Sequence, residues 1–188
     1  KQQKMVAEFH QAFGHPIADT PTLLPMERAK ARVKWTVDEV QREFLEAIEE
    51  GDIVKAYDAL LDAKYFIEGT AIEMGLDLEP GFGVVHRANM AKPAPDGRPI
   101  SDADGKVQKP AGWVPPEDRL VPIVLKQMED ARTFTLARSA ADAYVAGSEI
   151  SLPTLAPSEV VKVMQGVSMI LQMTNPDAHQ RWAEEYNS

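Results

Sequence analysis

The stretch that decides the fold is Glu27–Gly75, ERAKARVKWTVDEVQREFLEAIEEGDIVKAYDALLDAKYFIEGTAIEMG. Val33, Val37, Val40, Phe44 and Ile48 recur every three or four residues, the period of an amphipathic helix running from Glu27 to about Glu50. Gly51-Asp52 ends it and starts another, Asp52 to about Gly75, with Ala59, Ala63, Phe66, Ile67 and Met74 on one side and Gly75 placed as its C-cap. A link this short makes the two helices antiparallel neighbours. The apolar stripes, Val40 and Ala59 included, are expected to pack inside the hairpin.

Outward from the hairpin the signals remain helical. Met5, Phe9 and Phe13 place a helix over Lys4–Phe13, closed by Gly14-His15-Pro16. A short helix is expected over Gly83–Met90, then a long irregular stretch, Ala91–Asp118, rich in Pro, Gly and Asp. Such a loop in a compact domain is functional or disordered. Helices return over Leu120–Ala146 and Ser158–Met173, the latter with Met164, Met169 and Met173 on an apolar packing face. A last helix opens at Asn175-Pro176. The expected class is all-α, divided into a core, 1–118, and a helical extension, 119–188.

Composition narrows the function. The chain has 188 residues and a formal net charge of −9, which argues against a nucleic-acid polymer or an anionic membrane as partner. It has no cysteine and four scattered histidines, so thiol chemistry and a thiolate or His-based zinc site are not expected. No apolar run is long enough to span a bilayer, and the opening KQQKMVAEFHQAF is too charged for a signal sequence. The expected location is the cytoplasm.

Chemistry concentrates in the acids. At about 100° per residue, Glu39, Glu43, Glu46 and Glu50 fall on one narrow stripe of the first long helix, opposite its valines. Like charges at i,i+4 repel by a few tenths of a kcal/mol per pair, so either water and mobile cations relieve the stripe or a bound cation does. The next helix carries Asp58 and Asp62, with Tyr65 and Glu68 further along. Carboxylates offered from two helices toward one gap make an oxygen-only set suited to Mg²⁺ or Mn²⁺; a plain solvated face has the same spacing.

Glu39–Glu43–Phe44–Leu45–Glu46–Ala47, Gly51-Asp52, Asp62-(x)₂-Tyr65-(x)₃-Gly69-Thr70-Ala71 and Gly75-Leu76-Asp77 stand here in order. Val85–Lys92, Asp104–Lys109 and Gly112-Trp113-Val114-Pro115-Pro116 follow. Over about residues 6–117 the chain resembles the MazG-like all-α nucleoside triphosphate pyrophosphohydrolases, which include the phosphoribosyl-ATP pyrophosphohydrolase-like proteins. The resemblance implies a helical bundle completed by homodimer or homotetramer assembly. It also implies Mg²⁺ (or Mn²⁺) held by an ExxE and an ExxD motif, and cleavage of a nucleoside triphosphate between its α- and β-phosphates. Carried over, it puts Glu43 on the second ExxE glutamate and Asp62 on the ExxD aspartate; with Glu39, Glu46 and Asp58 beside them these make the expected metal set, Glu39, Glu43 and Asp62 being catalytic. Arg87, Asn89 and Lys92 match the family's phosphate-side segment, and Lys106 and Lys109 lie in a loop that could fold over a nucleotide, so all five are expected to bind substrate. Two motif carboxylates are replaced: ungapped alignment puts Val40 on the first ExxE glutamate and Ala59 on the ExxD glutamate. Glu39 and Asp58, each one residue earlier, could stand in after a rotation or register shift. Otherwise the chain is an inactive relative that binds nucleotides or a protein. Trp35 is expected to pack in the core or an interface, His86 to be structural, and Trp113 to pin its loop to the body.

Overall fold

The computed structural model describes residues 2–93 and 98–186. Among these the regular secondary structure is helical apart from one isolated antiparallel bridge, Ser101–Val107. The helices are α1 (Gln2–Phe13), α2 (Met26–Asp38), a π-helical segment (Glu39–Phe44), α3 (Leu45–Glu50), α4 (Ile53–Glu73) and α5 (Glu79–Met90). They continue with α6 (Glu117–Val145), α7 (Pro157–Thr174) and α8 (Pro176–Tyr186). The all-α class is as expected. The helix over Gly83–Met90 starts earlier, at Glu79, where Pro80 suits a first turn whose N–H groups have no partners. Of the stretch expected to be irregular, Ala91–Asp118, residues 94–97 lie outside the described residues. The chain divides into two compact units, Lys1–Gln127 and Met128–Ser188, with the division inside α6.

In the first unit, α2, the π segment and α3 form one arm of the hairpin and α4 the other. Gly51, at φ 70°, turns the chain. Asp52 Oδ1 then accepts from the N–H groups of Val54 and Lys55, satisfying the start of α4. Gly75, at φ 65°, ends α4 in a Schellman arrangement, with the Leu76 N–H bonded to the Ala71 carbonyl and the Gly75 N–H to that of Ile72.

The arm faces the opposite way from the valine reading. Val33 is 61% and Val40 45% exposed, and Val37 and Ile48 are exposed too. What faces α4 is the side carrying Arg32, Ala47 and the inner oxygen of Glu39. Ala59 and Ala63 of α4 are buried as expected, while Ile67 is exposed. The physical reason is a charge network. Glu73 is buried and accepts from Arg28 at 2.7 and 2.6 Å. Arg32, also buried, donates to Thr70 Oγ1, to the Phe66 carbonyl and, at 3.4 Å, to Glu73. Trp35 is half-buried, beside Phe66 and beneath both guanidinium groups. Burial would push the Glu73 carboxyl up, but the Arg28 hydrogen bond and the charges of Arg32 and Arg28 hold it below its ordinary value. With those groups paired inside, the valines are left outside.

The second unit packs α6 against α7 and α8 around Ala137, Ala140, Ala141, Val163, Val167, Leu171, Ala178 and Trp182. Small residues let α6 and α7 approach closely; a Cβ on Gly166 would lie 2.7 Å from that of Ala137. Asn175 caps α8 through the Ala178 N–H. Trp182 stacks on Tyr186 and meets Tyr144 edge-on. Met164 packs against this core, but Met169 and Met173 are exposed, because the inward face of α7 is filled by Val163, Val167 and Leu171.

Gly69 leaves the space that the charge network occupies. A Cβ there would lie 2.4 Å from Arg32 Nη2 and 2.9 Å from His10 Nε2. Gly69→Ala is therefore expected to displace Arg32 and leave Glu73 poorly compensated, at a cost of about 3 kcal/mol. Chemical denaturation measures this, and an unchanged midpoint would show that the network does not hold the hairpin.

Candidate metal and nucleotide site

The acid stripe lies on the arm side that meets α4. Glu39 opens the π segment, and its Oε2 is buried with no hydrogen-bond partner among the described residues. Burial raises the Glu39 carboxyl above its ordinary value of 4.5. The negative charges of Glu43 and Asp62 act in the same direction, against Arg42. Asp62 of α4 is raised likewise, by burial first and then by Asp58 and Glu43. Glu39, Glu43 and Asp62 therefore feel one another across the hairpin, with Asp58 beside Asp62.

Glu43 also receives Arg42 Nη2 at 2.5 Å. It lines a cleft of about 260 Å³ with Arg42, Glu46, Ala47, Glu50, Lys55 and Asp58. Lys55 bridges to Glu50 at 2.6 Å across the hairpin turn. Neither Asp58 nor Asp62 forms an ion pair among the described residues.

As the side chains stand, no three Asp, Glu or His among the described residues gather closely enough to hold a metal ion. In kind, the set suits a hard divalent cation. It is made of oxygens only, carries an excess of negative charge and includes one buried oxygen without a donor. Asp58 and Asp62 are exposed and form no ion pair among the described residues, so each can turn about its own side-chain torsions. Glu46 is exposed on the cleft and faces it with Glu43 and Asp58.

The residues expected to meet substrate lie on α5 and beyond it. Arg87 and Asn89 are exposed, and Lys106 is exposed on the turn closed by the Ser101–Val107 bridge. Lys92 and Lys109 both stand against the ring of Trp113, at 5.8 and 4.7 Å from its centroid. Trp113 Nε1 donates to the Ala88 carbonyl at 2.8 Å, pinning the loop to α5 as expected. His86 is exposed, whereas a structural histidine was expected; α5 buries Val84 and Ala88 instead.

A sequence model of the phosphoribosyl-ATP pyrophosphohydrolase family matches residues 6–89. A crystal structure of a candidate NTP pyrophosphohydrolase from Exiguobacterium sp. 255-15 is 38% identical, over 69% of this chain and 97% of that one. The chain belongs to the MazG-like all-α NTP pyrophosphohydrolase superfamily. Sequence identity over nearly the whole of that relative decides this; the TM-score of 0.39 adds nothing to it. No curated protein matches.

Within the MazG-like framework, the two replaced positions behave differently. Ala59 is 3% exposed and packs inside the hairpin. Val40 does not: it lies on the outer stripe, and Glu39 holds the inward position. Sequence reasoning missed the π segment and the Arg32–Glu73 network. The network was detectable in principle, since Arg32 and Trp35 fall within about 40° of Glu39 on the same wheel. Periodicity alone gives no sign of the π segment.

The raised Glu39 carboxyl makes a pH prediction. A carboxyl that binds its proton more tightly when folded adds stability that is full below pH 4.5 and is lost as pH rises through its folded value. Glu39→Gln removes the buried charge and can donate to Glu43. In metal-free protein it is expected to flatten this fall and to stabilise the fold at neutral pH by about 1–2 kcal/mol. Thermal unfolding across pH 4–8 reads the difference.

Proposed function

We propose that this chain is a Mg²⁺-dependent nucleoside triphosphate pyrophosphohydrolase, releasing a nucleoside monophosphate and pyrophosphate. The carrying observation is the buried, donorless oxygen of Glu39 beside Glu43, with the charge of Asp62 felt from the other arm. A π segment closes i→i+5 hydrogen bonds and so takes up one more residue than an α turn, changing which side chain faces a neighbour. That supports Glu39 standing in for the glutamate that Val40 replaces. In this reading Glu39, Glu43 and Asp62 are the catalytic set, and Asp58 and Glu46 complete the metal's oxygens.

When bound, the cation would neutralise phosphate charge and make an attacking water more acidic. Glu39 and Glu43 would hold one face of the gap and Asp62 the other, with the inner oxygen of Glu39 kept from bulk water. Arg87, Asn89, Lys92, Lys106 and Lys109 would meet the phosphates.

Ala59 favours the second reading, an inactive relative that binds nucleotides or a protein partner, because it leaves one ExxD position with no oxygen. The two readings part in one assay. The enzyme predicts pyrophosphate release from a panel of nucleoside triphosphates with Mg²⁺ or Mn²⁺, and a loss of at least about 100-fold in Glu43→Ala or Asp62→Ala with the fold intact. A chain that neither binds the ions nor releases pyrophosphate is the inactive relative.

The proposed partner is a second copy of this chain, as a homodimer or homotetramer. The outer stripe of Val33, Val37, Val40 and Ile48 is a continuous apolar face, and faces of that kind mark interaction surfaces. Val37→Glu with Val40→Glu is expected to shift the mass measured by light scattering to that of a monomer. No helix among the described residues is long and apolar enough to cross a membrane.

A further inference from the structure

Lys92 and Lys109 are 17 positions apart in sequence, yet both ammonium groups stand over one indole ring. They can be no further from each other than those two centroid distances together allow. The chain carries an excess of acids, but no carboxylate among the described residues pairs with either lysine. Two like charges gathered on one ring repel, and an anion lying along them relieves the repulsion.

The framework around the ring is built in detail. Trp113 is half-buried and tied to α5 through the Ala88 carbonyl. Lys109 is delivered by an ordered turn. Asp102 Oδ1 accepts from the N–H groups of Asp104 and Lys106, Asp102 Oδ2 accepts from Gln108 Nε2, and the Gln108 N–H meets the Ile100 carbonyl at 2.6 Å. Lys92 comes from the end of α5, two residues past Met90. The aromatic face attracts both cations through its quadrupole and sets where they stand.

We propose that Trp113 is a positioning residue that gathers Lys92 and Lys109 into one cationic clasp for the substrate's polyphosphate. The proposal rests on the reading of those lysines as phosphate-side residues, and it adds the ring as the part that makes them act together. Trp113 itself touches no reacting atom.

The test is calorimetric binding of metal-free tripolyphosphate to the full chain. Wild type is expected to bind, and Trp113→Ala to bind about three- to fivefold more weakly, the scale of a cation–π contact at an exposed site. Trp113→Phe, which keeps a ring and loses the indole N–H, is expected to recover most of that loss. Lys92→Ala and Lys109→Ala should each weaken binding, with their effects coupled in the wild type and additive once Trp113 is alanine. Lys109→Ala leaves the Trp113–Ala88 hydrogen bond in place, so it reports even if Trp113→Ala disturbs the loop. Where turnover is seen, Trp113→Ala should raise KM and leave kcat near wild type. Tripolyphosphate affinity indifferent to Trp113, or Trp113→Phe as weak as Trp113→Ala, overturns the clasp and leaves the lysine reading standing. Wild type that binds no tripolyphosphate overturns both. Catalysis is judged separately, because Asp62→Asn abolishes turnover in the enzyme reading and leaves tripolyphosphate binding untouched.

Discussion

The buried pairing of Arg32 and Arg28 with Glu73 determines how the hairpin is assembled. A buried ion pair contributes little net stability over an apolar substitute, but breaking one is expensive, at about 3–5 kcal/mol. That asymmetry makes it a specifier. It draws the polar side of α2 against α4, because Glu73 takes its hydrogen-bonded cations from Arg28 and Arg32 there. Once Arg32 is fixed on Thr70 and Phe66, the helical repeat carries the same side down to Glu39 and Glu43. Each step forward along the first arm meets an equal step back along the second. The acids are thus brought against α4 by a contact two turns away from them.

This also explains which parts of the molecule were legible in the sequence. Helix positions came from apolar spacing and from turn chemistry at Gly51-Asp52, Gly75 and Asn175-Pro176, and these are local rules that the structure obeys. The orientation of the hairpin was not legible, because periodicity locates an apolar stripe without saying whether it meets the same chain. Val33, Val37, Val40 and Ile48 form a stripe of core quality that is exposed in the single chain. Met169 and Met173 mislead in the same way.

The candidate site was legible in its residue types and only partly in its geometry. Spacing picks out Glu39, Glu43, Asp58 and Asp62, and the hairpin does place Glu39, Glu43 and Asp62 within each other's electrostatic reach. The replaced positions, Val40 and Ala59, look equivalent in an ungapped alignment and are not. One lies outside, beside a glutamate that takes the inward place, and the other is buried with no such neighbour inside. That difference follows from which side of the first arm meets α4, and the pairing of Arg32 with Glu73, not apolar periodicity, decides that side.

The two ends of the acid gap are held by different means. At one end Gly51-Asp52 joins the arms covalently within two residues; at the other Arg32 and Arg28 grip Glu73. A pair of rods fastened at both ends has little freedom to bow apart between the fastenings. The width available to an ion is then set by side-chain torsions, not by helix separation. For the proposed cation such a slot would discriminate by radius: a small, compact ion could be drawn in by turning Asp58 and Asp62, whereas a bulkier one would have to pry the rods open against both fastenings at once.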